Sequence, residues 1–208
     1  MSMVQIRSVS APLDRPVLTG PAVNLVRRAD AVGLLPDREP VQNLDMALVR
    51  RIAEEASAAG VGRNAAVGIL GEPGTNERLA SLITRLDEAM AASPLPDREL
   101  RELTTIFDLD ALARLVGSSA VSLRRYLAGT RRAPDAVAER LHWLALVVGD
   151  LHGAYNDIGV RRWFDRPRSA LGGRPPAGVL RGDWDPADPD VERVRELAAA
   201  LAGVGAST

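Results

Sequence analysis

Apolar residues recur along this chain at three- and four-residue intervals, and from residue 43 onward they spell out a succession of amphipathic helices. Leu44, Leu48, Ile52 and Ala56 predict the first, with Asn43 as its cap and Gly60 as its stop. Leu79, Leu82, Ile83, Leu86, Ala89 and Met90 share one face of a second, from about Asn76 to Met90, and Ser93-Pro94-Leu95-Pro96 ends it. A third runs from Asp97 to Phe107, with Leu100, Leu103 and Phe107 on one side and acidic residues near its N-terminus, where the helix dipole favours them. Before residue 43 the pattern is different. Pro12, Pro16, Pro21, Pro36 and Pro40 predict a Pro-rich, partly disordered arm over residues 1–42, with at most a short helix around Val23 to Val32. With no sustained β alternation in the first hundred residues, the expected fold is all-α.

From Asp108 the spacing takes a more particular form. Two helices that cross closely need a small residue on the first, a turn-tolerant residue between them and apolar inward faces. Ala113, Gly117 and the set Leu112, Val116, Leu123, Tyr126 and Leu127 supply these in order, so residues 108–134 read as a helix-turn-helix. Ser118 or Ser119 can cap the second helix and Gly129 can end it. Ser118 stands where this motif usually carries an apolar residue, and a looser turn is expected there. The second helix would present Ser119, Ala120, Val121, Ser122, Arg124 and Arg125 to a DNA major groove, with Arg131 and Arg132 following. Arginine suits that work because its planar fork binds guanine or phosphate bidentately. The plain alternative is a helical hairpin with a solvated arginine face.

Pro134 opens a longer helix in which Val137, Leu141, Leu144, Ala145, Val148 and Leu151 keep helical spacing while Trp143, Leu146 and Val147 widen the apolar surface. A helix apolar almost all round is either central to its domain or packed on a second subunit. Because paired half-sites need paired readers, a homodimer through residues 134–152 is expected.

Composition limits the chemistry. The chain has 208 residues, a formal net charge of −1 and no cysteine, which removes disulfides, thiolate catalysis and Cys-ligated zinc. Lysine is missing too, so the 26 basic side chains are all arginine and a P-loop cannot be completed. His142 and His152 are too far apart for an HExxH zinc site, and no metal or cofactor is expected. Gly60-Val61-Gly62-Arg63-Asn64-Ala65 matches a dinucleotide fingerprint formally, but a helical pattern precedes it where a strand is required. No apolar run is long enough to span a bilayer, and MSMVQIRSVS lacks the hydrophobic stretch of a signal peptide, so a cytoplasmic, non-enzymatic protein is expected. In a nearly neutral chain, nucleic-acid contact must come from local charge. Between Leu109 and Pro134, Arg114, Arg124, Arg125, Arg131 and Arg132 face Asp110 alone.

The run from Trp163 to Leu180, WFDRPRSALGGRPPAGVL, combines aromatic anchors, a Gly-Gly turn and a proline-initiated helix. Asp188, before Pro189, is expected to cap the last helix, whose face is Val191, Val194, Leu197, Ala198 and Leu201. Together with the helix-turn-helix, this run resembles the C-terminal toxin-binding domain of the Xre/MbcA/ParS antitoxin family, in which W, a short spacer, P, then LGG-R-x-P recurs. The likeness covers roughly residues 100–201. It implies a helical, dimeric protein that represses its own operator DNA and obstructs the active site of a RES-type, NAD-consuming toxin. On the matching motifs, Trp163, Phe164, Pro167, Leu171, Gly172, Gly173, Arg174 and Pro176 would form the toxin-binding module within residues 135–203, with residues 204–208 as a frayed tail. Arg181, Gly182 and Asp183 would be the obstructing element, separable from operator binding. A stand-alone helix-turn-helix regulator with no toxin partner is the alternative.

Overall fold

The computed structural model describes residues 4–35 and 41–204, and the chain divides into two compact units, residues Ser2–Ser93 and Pro94–Thr208. The fold is predominantly α-helical, with eleven α-helices and two short strands among the described residues.

In the first unit the described part of the expected Pro-rich arm forms a strand and a helix, while Pro36 and Pro40 lie outside the described residues. Strand β1 (Val4–Val9) pairs in parallel with β2 (Val41–Leu44), and helix α1 (Pro16–Ala31) lies between them in the chain. Pro16 occupies the first turn, where its missing N–H costs nothing, and Pro21 sits inside the helix. The helix persists because its apolar side is buried: Leu18, Ala22, Leu25, Val26 and Ala29 are fully covered, facing α4 (Asn76–Ala91). Arg28 Nε and Asp87 Oδ1, 3.0 Å apart, tie the same two helices together. Packing thus outweighs a proline whose cost, about 3 kcal/mol, is smaller than the burial of several apolar side chains at ~1.5–3 kcal/mol each.

Asn43 does not cap a helix. It lies in β2, accepts hydrogen bonds from the Ser8 and Ser10 hydroxyls, and donates to Asp45 at 3.1 Å. Asp45 is the cap of α2 (Met46–Ala58), accepting from the Leu48 N–H at 2.9 Å. The glycine-rich segment that follows enters α3 (Arg63–Leu70) from a helix, so the strand-turn-helix context of a dinucleotide fingerprint is absent there. Gly62 has φ +58°, and a Cβ on it would lie 2.7 Å from Leu86 Cδ1 and 3.0 Å from Ala89 Cβ. Close approach to α4 explains that glycine.

The second unit begins earlier than the sequence pattern suggests. Helix α5 (Pro96–Ile106) packs on α7 (Ala120–Leu127), α8 (Asp135–His152) and α9 (Asp157–Asp165). Leu100, Leu103, Ile106 and Phe107 belong to the same core as Leu112, Leu123, Leu141 and Trp163. The sequence pattern predicts an N-terminal helical region over residues 43–107, but the two units divide after Ser93, because the apolar face of α5 has its partners downstream. Glu99, fully buried on α5, meets His142 Nδ1 of α8 at 2.5 Å.

Helix α8 is the central element, not a dimer seam. Trp143, Leu144, Ala145, Val147 and Val148 join the core, and Leu146 is 2% exposed. The apolar residues that suggested a second copy are covered within the chain, so neither Leu146 nor Val147 is available to one. Helix α6 (Leu109–Leu115), a 3-10 turn (Ser169–Leu171), α10 (Pro176–Val179) and α11 (Pro189–Val204) complete the unit. Asp188 Oδ2 accepts from the Asp185 N–H at 3.2 Å, so this carboxylate shapes the approach to α11. From 205 on, the expected frayed tail lies outside the described residues.

At the end of α8, burial pulls the His152 imidazole below its ordinary pKa of 6.5, and the Asp157 carboxylate at 3.4 Å only partly offsets this. The folded state therefore favours the neutral ring, and the unfolded chain binds more protons below that value. Stability from this group is present above pH 6.5 and is lost as pH falls from there through the lower folded pKa. The melting temperature of the full chain should drop between about pH 7 and pH 5.5, and His152→Gln should flatten that slope. Equal slopes in both proteins would refute this assignment.

Candidate functional site

The helix-turn-helix forms as its spacing predicts, and each end is closed by local hydrogen bonds. Asp108 caps α6 by accepting from the Ala111 N–H at 2.7 Å, and Ser119 caps α7 by accepting from the Ser122 N–H at 3.1 Å. Gly117 adopts φ +63°, which lets the Ser118 N–H bond the Ala113 carbonyl at 2.9 Å and close α6 in a Schellman arrangement. Ser118 does not loosen the turn, since its backbone is what closes the helix. Gly129 does the same for α7, at φ +67°, with the Thr130 N–H bonded to the Arg125 carbonyl.

The expected DNA-facing residues divide by exposure. Arg124, Arg125, Arg131 and Arg132 are exposed and have no acidic partner among the described residues. Val121 is 55% exposed between them and the start of the helix. Ala120 is half-buried and packs on the core. The Ser119 hydroxyl donates to Ser122 Oγ at 3.0 Å, so one serine is engaged in capping and in holding the other. Cationic forks and one apolar side chain thus dominate the outward surface of α7, a composition suited to guanine, phosphate and thymine methyl groups.

The residues expected to grip a protein partner fare differently. Trp163 and Phe164 are each 2% exposed and stack edge to face at 5.2 Å, with Phe107 against Phe164 at 5.6 Å. Leu171 and Pro176 are buried as well. These four are the core of their own unit, not contact anchors. Pro167, Gly172 and Gly173 are exposed, and both glycines have positive φ, with the Gly173 N–H bonded to the Arg168 carbonyl at 2.9 Å. Arg168 stacks over Trp163 at 5.1 Å. Arg174 is partnered: its Nε bonds the Leu171 carbonyl at 3.2 Å and its Nη2 meets Asp190 at 2.5 Å, pinning the turn to α11. Arg181, Gly182 and Asp183 form an exposed turn with Gly182 at φ +73°.

Two residues outside every expected set join that turn to the helix-turn-helix. Arg140 of α8, 7% exposed, donates from Nε to the Trp184 carbonyl at 2.7 Å. Its Nη1 reaches the Val116 carbonyl at 3.5 Å and Asp183 Oδ1 at 3.1 Å. Trp184, 4% exposed, donates from Nε1 to the Leu115 carbonyl at 2.8 Å and stacks on Trp143 at 5.0 Å. The Leu115 carbonyl at the end of α6 is thereby satisfied from a loop 69 residues downstream, and the Val116 carbonyl from α8, 24 residues downstream. The sequence held a signal for each. Arg140 falls on the apolar stripe of Val137, Leu141 and Leu144, where a charge needs a buried partner, and Trp184 is a large ring in a run of aspartates and prolines.

No family model, curated protein or solved structure matches this chain. No described helix is long and apolar enough to cross a membrane.

Proposed function

We propose that this chain is a DNA-binding antitoxin, in which α7 reads an operator and the exposed turns of residues 172–174 and 181–183 contact a RES-type, NAD-consuming toxin. The observation that carries the DNA half is the capped helix-turn-helix, whose second helix and following loop expose four arginines without acidic partners in a nearly neutral protein. Local positive charge of this kind supplies phosphate attraction, and its placement on a rigid helix lets it also select bases. The toxin half rests on the resemblance of WFDRPRSALGGRPPAGVL to the antitoxin family. Within that run the buried aromatics act as scaffold, and the exposed glycine turns are the groups that can approach a partner's backbone.

A stand-alone regulator is the second reading, and burial favours it: Trp163, Phe164, Leu171 and Pro176 are accounted for by their own core without a partner. Coexpression with the protein encoded beside this chain separates the two. Under the antitoxin reading, that product alone depletes cellular NAD and arrests growth, the intact chain restores both, and Gly173→Val restores less, because φ +80° resists a β-branched residue. A harmless neighbour, or one the intact chain fails to bind, leaves the stand-alone regulator.

A further inference from the structure

The exposed turn at Arg181-Gly182-Asp183 and the turn between α6 and α7 are built as one piece. A Cβ on Gly117 would overlap the Gly182 carbonyl oxygen and lie 2.7 Å from Arg140 Nη1, so the two backbones touch at a point where only glycine fits. Around that contact, Trp184 holds the Leu115 carbonyl and Arg140 spans Val116, Asp183 and Trp184. The Arg140 guanidinium also lies over the Trp184 ring at 5.6 Å. Leu115, Val116, Arg140 and Trp184 are buried, whereas Gly182 is exposed and the Asp183 side chain is 94% exposed. A single exposed carboxylate is therefore the outer end of a buried chain of contacts that ends on the turn aiming α7.

We propose that Arg140 and Trp184 are positioning residues for DNA recognition, with the Arg181-Gly182-Asp183 turn as the outer support of the turn that aims α7. The proposal rests on the DNA-binding reading of α7 and replaces the expectation that the two surfaces act separately. Its physical basis is the asymmetry of the contacts. Phosphate attraction by Arg124, Arg125, Arg131 and Arg132 needs only their charge, which survives if the turn loosens. Base selection needs α7 held at one angle, because bidentate contacts fail when the fork shifts by an ångström or so. Loss of the Asp183 carboxylate removes part of the backing of the turn and leaves the Arg140 charge without its carboxylate.

The test uses the full chain and a duplex selected by it from a random pool, with a scrambled duplex as the non-selective reference. Trp184→Phe keeps an aromatic ring but removes the donor to the Leu115 carbonyl, together with part of the indole that packs on Trp143. Asp183→Ala keeps the buried network but frees its outer end, and acts as the second variant should Trp184→Phe fold poorly. Each is expected to lower the preference for the selected duplex by about fivefold, the scale of one hydrogen bond, while the salt dependence of scrambled-duplex binding stays the same. Losing a negative charge at residue 183 raises affinity for both duplexes alike, so the ratio between them isolates the positioning effect. Amide exchange at residues 116–119 should quicken in the same variants. If both folded variants keep the full preference, or lose affinity for both duplexes equally, the positioning role is overturned while the DNA reading stands. A wild-type protein that selects no duplex at all ends the DNA reading and this proposal with it.

Discussion

Val147→Asp should unfold the second unit instead of releasing a folded monomer. Val147 is fully buried in the core that α8 shares with α5, α9 and α11, so an aspartate there has neither water nor a cationic partner. Losing the valine's burial and placing an uncompensated carboxylate in its stead should cost about 3–5 kcal/mol, a large share of the ~5–15 kcal/mol that holds a typical domain together. Ala136→Asp is the control. Residue 136 is exposed in the first turn of the same helix, where an acid favours the dipole, and its effect should stay within about 0.5 kcal/mol. Urea unfolding followed by circular dichroism, with sedimentation on the same samples, decides the matter. A cooperative, fully folded Val147→Asp monomer derived from a wild-type dimer would show that α8 is an interface after all.

Arg124→Ala with Arg125→Ala should abolish most selective DNA binding at no cost in stability. Both side chains are exposed on α7, neither supports the core, and the Ser119 cap that starts the helix is untouched. Each bidentate base contact is worth about 1–3 kcal/mol, so the pair together should lower affinity for a selected duplex by several kcal/mol if both read bases. Where one of them holds phosphate, the slope of log affinity against log salt should instead fall by about one. Fluorescence anisotropy across a salt series distinguishes these, and the melting temperature should match wild type. Unchanged affinity together with an unchanged salt slope would remove α7 from the DNA interface.

The pattern of apolar positions alone was enough for α4, α6 and α7 because each buries one face against neighbours within its own unit, and burial imposes the 3.6-residue period on the sequence; α8, buried on nearly every side, shows instead as an almost continuous apolar run. The Ser119 cap was legible for the same local reason: it sits within one turn of the N–H group it satisfies. The segment before residue 42 was not legible. Its prolines argue locally against a helix, while the buried face of α1 that outweighs them depends on α4, some fifty residues further on. The short parallel pair β1 and β2 likewise depends on a partner strand across a whole helix, a pairing that four to six residues of alternation do not announce.

At the candidate site the division is sharper. The sequence determined the helix-turn-helix and its exposed arginines, since small residue, turn glycine and cap act over a few residues. It also marked Trp163, Phe164 and the glycine turn as a distinctive run, but a pattern cannot tell an aromatic that anchors a partner from one that fills its own core. Tertiary structure decided that, by burying both rings. It decided as well that Arg140 and Trp184 link the loop after α10 to the turn before α7, because a buried guanidinium and an indole N–H take whatever carbonyls the fold brings within 3 Å or so, and those acceptors lie about 24 and 69 residues away along the chain.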